Sequence, residues 1–163
     1  MNTILKSAAA GVIAGVPMGI AAQVIHVAAC VPRRIPFSRV VRGTERKLGH
    51  FFVGENTHQA TTWVLHSAYS AAGGAVFGAA LSTLPATRRS VAVDVAAGTA
   101  FGLAVWGVSY LGWLPRLGIV PAASRDNARF NVMNVVAQAV FGAALGAVCS
   151  RWVPARTTAR APR

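Results

Sequence analysis

The chain has 163 residues, of which 54% are hydrophobic and 12% charged, and it carries a net charge of +12. An ordinary soluble domain is roughly a quarter charged, so the composition excludes a water-soluble globule and the length leaves room for one domain. In a soluble protein so basic a balance would suggest nucleic acid, but these arginines fall in connections and tails between uncharged stretches. Anionic headgroups and the insertion machinery favour that placement, and nucleic acid is not an expected partner.

The expected fold is an all-α membrane protein with four transmembrane helices. No Asp, Glu, Lys or Arg occurs between Lys6 and Arg33, or between Glu55 and Arg88, and each gap exceeds the about 20 residues a span needs. The predicted spans are residues 7–31, 60–84, 91–114 and 130–152, followed by a disordered basic tail, 153–163. Trp63, Trp113 and Trp152 fall at predicted span ends, where an amphipathic ring gains from the boundary of hydrocarbon and headgroup. Val27-Ala28-Ala29-Cys30 could alternatively end a lipoprotein signal peptide. Gln23 and His26 interrupt the apolar stretch close to that cut, and an uncleaved first helix fits better.

Between the first two spans, Phe37, Val40, Val41, Thr44, Leu48, Phe51 and Phe52 recur at helical spacing, with Arg39, Arg42, Arg46 and Lys47 on the other face. Residues 36–53 are therefore expected to form an interfacial amphipathic helix, its basic residues among anionic lipid headgroups.

Glycines four apart recur in every span: Gly11, Gly15 and Gly19; Gly74 and Gly78; Gly98 and Gly102; Gly142 and Gly146. In lipid no hydrophobic force draws helices together, and such Gly-x-x-x-Gly stripes let backbones approach closely. They predict tight packing within the bundle or between copies of the chain. Residues 75–81 read AVFGAAL, as do residues 139–145, which predicts a duplicated two-helix hairpin.

Polar residues continue the stripes, with Gln23, His26 and Cys30 after the first glycines, His66 and Ser70 before the second set, and Asn131, Asn134 and Gln138 before Gly142. Facing lipid they would leave hydrogen-bonding groups unsatisfied, so they are expected to point inward as interhelical glue or as the lining of a site. Asp94 is the one acidic residue inside a predicted span, a turn from the helix start, where the dipole favours a carboxylate. It is either an anchor, paired with Arg88, Arg89 or Arg151, or a group that handles protons or cations. The candidate functional positions are Asp94, His66, His26, Gln23 and Gln138.

His26, His50, His58 and His66 all fall toward one side of the bundle. Imidazole changes charge near pH 6.5, so the cluster suggests a pH response. His26 and His66 could instead ligate haem or a metal, although the sequence marks no cofactor site and neither a metal nor a cofactor is expected. Cys30 and Cys149 are read as packing residues. No nucleophile motif, phosphate loop or zinc spacing is present, and no catalytic residue is expected.

The segments AGVPMGI, LHSAYSAAGGAVFGAAL and GTAFGLAVWGVSYLGWLPRLGIVP together resemble the YagU-like family of small bacterial inner-membrane proteins. The resemblance rests on His66 entering the second span and on Gly98, Gly102 and Trp106 in the third. Where that family often has a second histidine opening the fourth span, this chain has Gln138. The resemblance implies a multi-pass protein of the bacterial inner membrane, and a link of one relative to acid survival favours the pH reading. The leading expectation is a non-enzymatic membrane protein contributing to envelope or acid-stress tolerance. The alternative is a small transporter or channel subunit. Orientation stays open: Lys6, Arg88, Arg89, Arg151 and the tail arginines total seven basic residues, against nine on the other side.

Overall fold

The structure, a computed structural model, describes residues 2–28, 36–48 and 55–153. The elements are α1 (Thr3–Ala28), α2 (Pro36–Leu48), α3 (Glu55–Ser82), α4 (Val91–Trp106), a π-helical stretch (Gly107–Trp113), α5 (Leu114–Arg116) and α6 (Ala128–Trp152), with single 3₁₀ turns at Ala86–Arg88 and Ala123–Arg125. The described residues contain no strand.

Four helices are long and apolar enough to cross a membrane: Thr3–Ala28, Ala60–Ser82, Val91–Arg116 and Ala128–Trp152. The first begins a turn earlier than residue 7, and the last part of the 7–31 segment lies outside the described residues. The third runs on through the π-helical stretch to Arg116, with Pro115 in its last turn. Asn127 starts α6 by accepting the Arg129 N–H at 2.9 Å. Gly118 ends the third span in the left-handed region, at φ 65°, with the Ile119 N–H returning to the Leu114 carbonyl at 3.0 Å. Beyond Val153 the tail lies outside the described residues.

The buried side of α1 is made of small residues, Ser7, Ala10, Gly11, Ala14, Gly15 and Ala22. Its large side chains point outward, with Val16, Ile20 and Val24 each about 60% exposed. That pattern suits a hydrocarbon surround, where large apolar groups need no cover and close contact is what holds helices.

α1 and α3 run antiparallel with their backbones touching. A Cβ on Gly11 would run into the Ser70 carbonyl, and one on Gly74 into the Ser7 carbonyl. α4 and α6 do the same, since a Cβ on Gly98 would meet the Gly142 carbonyl and one on Gly146 the Asp94 carbonyl. These glycine faces are thus taken up within the chain. Gly19 is the exception, where a Cβ would meet nothing within 4 Å.

The two hairpins pair differently despite their shared AVFGAAL. In the first, Gly78 lies against Ser7 and Gly74 against Gly11. In the second, Gly142 of the repeated segment lies against Gly98, and Gly146 against Asp94. Matching Gly11 to Gly98 and Gly78 to Gly142 leaves the pairing eight residues, about two helical turns, out of register: the Ser70 carbonyl against Gly11 would correspond to that of Asn134, whereas Gly98 meets that of Gly142.

The hairpins join through α1 and α6, where Ala10, Ala14, Phe77, Phe141, Leu145 and Cys149 form one core. α3 meets the third span less closely, through α4 and the π-helical stretch that follows it. The Phe77 and Phe101 rings lie 5.4 Å apart, and the Tyr69 hydroxyl lies 3.3 Å from the Ser109 hydroxyl. A second core of Tyr110, Leu114, Ile119, Val120, Phe130 and Met133 closes the end of the bundle nearest α2.

Candidate functional site

Three polar constellations sit at different depths. The first closes the end away from α2. Ser90 caps α4 by accepting the Val93 N–H at 3.2 Å, which places Asp94 in the first turn. The guanidinium of Arg89 grips it there: Nη2 donates to Oδ2 at 2.7 Å and Nε lies 3.2 Å from the same oxygen. Arg89 Nη1 also donates to the Val153 carbonyl at 2.9 Å, satisfying an otherwise unpaired group at the C-terminal end of α6. Both side chains are buried, 6% and 2% exposed. Of the three arginines the sequence offered to Asp94, the structure selects Arg89; Arg88 and Arg151 are exposed.

The second constellation fastens α2. Arg39 donates from Nη1 to Asp126 Oδ2 at 2.9 Å, and its guanidinium carbon lies 4.0 Å from the centre of the Phe130 ring. Val41 is buried, and Gly43 comes so close to the Ile119 carbonyl that a Cβ would overlap it. α2 thus rests in part on the chain's own 117–127 connection, and Arg39 turns inward to an aspartate where the sequence reading set it among lipid phosphates. Arg42 is half-buried, while Arg46 and Lys47 are exposed. Phe37, Phe51 and Phe52 lie outside the described side chains. Asp126 was missed in the sequence because it stands in a connection; its only signal there was rarity, as one of four acidic residues.

The third lies inside the bundle toward α2. Asn134 and Gln138 are buried on α6, 3% and 7% exposed. The Gln138 carbonyl faces Gly102 so closely that a Cβ there would collide with it. One turn further toward α2 on the two antiparallel helices stand Trp106 and Asn134. Trp106 Nε1, Asn134 Nδ2 and Gln138 Oε1 are buried without a hydrogen-bond partner among the described residues, as is His26 Nδ1. No pattern in the sequence marks Trp106 and Asn134 for this state.

His66 sits across from α1, its Nε2 3.4 Å from the Gly15 carbonyl. A carbonyl only accepts, so Nε2 is the donor in this contact. The ring meets Trp63 edge to face at 6.3 Å. Gly11 to Ser70 and Gly15 to His66 fix the antiparallel register of α1 and α3, which sets His26 about eleven residues, about 16 Å, beyond the level of His66. The two histidines are therefore not at similar depth and do not converge on one metal ion. His50 and the side chain of His58 lie outside the described residues, so the four-histidine cluster is seen only in part.

Gln23 corrects the sequence reading outright: it is exposed, not turned into the bundle. Four residues of α-helix advance about 400°, so a four-residue stripe drifts about 40° per step. Gly11 and Gly15 are buried, Gly19 is open and Gln23 faces out. No protein family, curated protein or solved structure matches the chain.

Proposed function

We propose that this is a non-enzymatic, multi-pass protein of the bacterial inner membrane that displays a basic, histidine-bearing face to anionic headgroups and contributes to envelope or acid-stress tolerance. The observation that carries the reading is the Arg39 to Asp126 ion pair. It fastens α2 across the end of the bundle, with Arg46 and Lys47 outward beside the exposed Arg116, Arg125 and Arg129. Each such residue near an anionic surface contributes about 1 kcal/mol of attraction. The small-residue stripes hold the bundle that carries this face, and the shared AVFGAAL marks the bundle as a duplicated hairpin whose halves have since shifted by about two turns. The resemblance to the YagU-like family accords with the location and with the acid-stress role.

The test is an acid challenge of cells lacking the protein, complemented with the wild-type chain or with Arg46→Gln/Lys47→Gln. Rescue by the wild type and not by the double variant is the expected outcome. Full rescue by the variant ends the proposal.

A small transporter or channel subunit is the second reading, favoured by the buried polar atoms without partners on α1, α4 and α6. The engagement of Asp94 with Arg89 weighs against it. Solute or proton flux above background in proteoliposomes, lost in Gln138→Leu, would reverse the order of the two readings.

A further inference from the structure

The polar layer has an odd property for a protein interior in lipid: it is unpaid. Trp106 Nε1 and Asn134 Nδ2 are donors, Gln138 Oε1 is an acceptor, and none of the three atoms has a partner among the described residues. An unsatisfied buried group of this kind is costly, and the hydrocarbon of a bilayer offers it no partner.

The pairing of α4 with α6 sets the three residues at neighbouring levels. The contacts Asp94 to Gly146, Gly98 to Gly142 and Gly102 to Gln138 set the pairing of α4 with α6. Continued by one turn, that pairing brings Trp106 to Asn134, and by another Tyr110 to Phe130, which do share a core with Met133. Trp106 packs on that same core. Gln138 lies one turn from Asn134 on the same helix.

We propose that Trp106, Asn134 and Gln138 form an intramembrane site for a single neutral hydroxyl group. A hydroxyl oxygen accepts from the indole and the carboxamide N–H groups, and its proton goes to the Gln138 oxygen. The occupant is neutral because the two acidic side chains shown buried in ion pairs, Asp94 and Asp126, are engaged by arginines toward the two ends of the bundle. Two sources carry this chemistry: a trapped water, or the alcohol of a lipid-soluble amphiphile. For the amphiphile the way in is the seam between α3 and the π-helical stretch, where the half-exposed Tyr69 reaches Ser109.

The test uses the full chain in nanodiscs with Trp63, Trp113 and Trp152 replaced by Phe, so that Trp106 is the chain's only tryptophan. It is titrated with a long-chain bromoalcohol bearing bromine beside the hydroxyl, and with the matching bromoalkane. An amphiphile site gives saturable quenching by the alcohol and only linear quenching by the alkane, with apparent affinity falling about tenfold in Asn134→Leu or Gln138→Leu. A water site gives no saturable quenching, but the indole N–H vibration of Trp106 reports a hydrogen bond that the same variants abolish. The proposal is overturned if quenching is linear for both probes and the indole N–H vibration is that of a free group. It is equally overturned if the two Leu variants leave both signals unchanged, since the amides then hold nothing.

Discussion

The guanidinium of Arg89 closes on Asp94 and on the Val153 carbonyl together, with Nη2 2.7 Å from Oδ2 and Nη1 2.9 Å from the carbonyl oxygen. One side chain ties the turn after α3, the first turn of α4 and the end of α6. Breaking one partner of a buried ion pair costs about 3 to 5 kcal/mol, whereas replacing both with apolar groups is often neutral. Asp94→Asn and Arg89→Leu should each destabilise the chain by about 3 kcal/mol or more in detergent unfolding, and Arg89→Leu/Asp94→Leu should recover most of the loss. A double variant as unstable as the sum of the singles would show that the pair does more than neutralise itself.

Gly98 and Gly19 make opposite predictions for the same change. A Cβ on Gly98 collides with the Gly142 carbonyl, while one on Gly19 meets nothing within 4 Å. Gly98→Ala must push α4 off α6 and should cost about 1 to 3 kcal/mol. Gly19→Ala should gain up to about 1 kcal/mol from helix propensity. Thermal unfolding of the two variants side by side is the measurement, and equal effects would contradict the packing described here.

Charge exchange tests the fastening of α2. Arg39→Ala should raise amide exchange in residues 39–47 while α4 and α6 keep their protection, because the spans do not depend on α2 for their contacts. The exchanged pair Arg39→Asp/Asp126→Arg should restore part of the protection. Loss of the stacking of Arg39 on Phe130 sets the limit of that recovery.

The position of α2 on the 117–127 connection fixes which segments share a side of the membrane. Cysteines introduced at Lys47 and Arg125 should react with an impermeant thiol reagent from one side in right-side-out vesicles, and one at Arg88 from the other. Labelling of all three from the same side would require a different number of crossings.

Much of the fold was open to inspection in the sequence, because the absence of charge over a bilayer's thickness admits few alternatives. Asp94 was legible for the same reason, standing alone in an apolar stretch. Its choice of Arg89 was not, since the spacing offered several arginines and the deciding contact is to a carbonyl 64 residues away. Asp126 escaped notice because a loop carboxylate has no pattern to break. Gln23 misled because a stripe every four residues is only locally a face of an α-helix. The rotation it accumulates over three steps carries the last member around to the outside.

That same drift gives the π-helical stretch Gly107–Trp113 its meaning. In the third span Asp94, Gly98, Gly102, Tyr110 and Leu114 are all buried, a run at multiples of four over twenty residues that would drift about 200° around an unbroken α-helix. Wider turns with i to i+5 bonds are underwound and absorb the overshoot. The span is therefore a vernier, set by one surplus residue. Deleting any single position between Gly107 and Trp113 would leave composition and hydropathy almost untouched, yet it would swing the lower third of the helix out of phase and strip Tyr110 and Leu114 from their core. In this protein the tolerated change of length in that segment is set by phase, and residue count matters there more than residue identity.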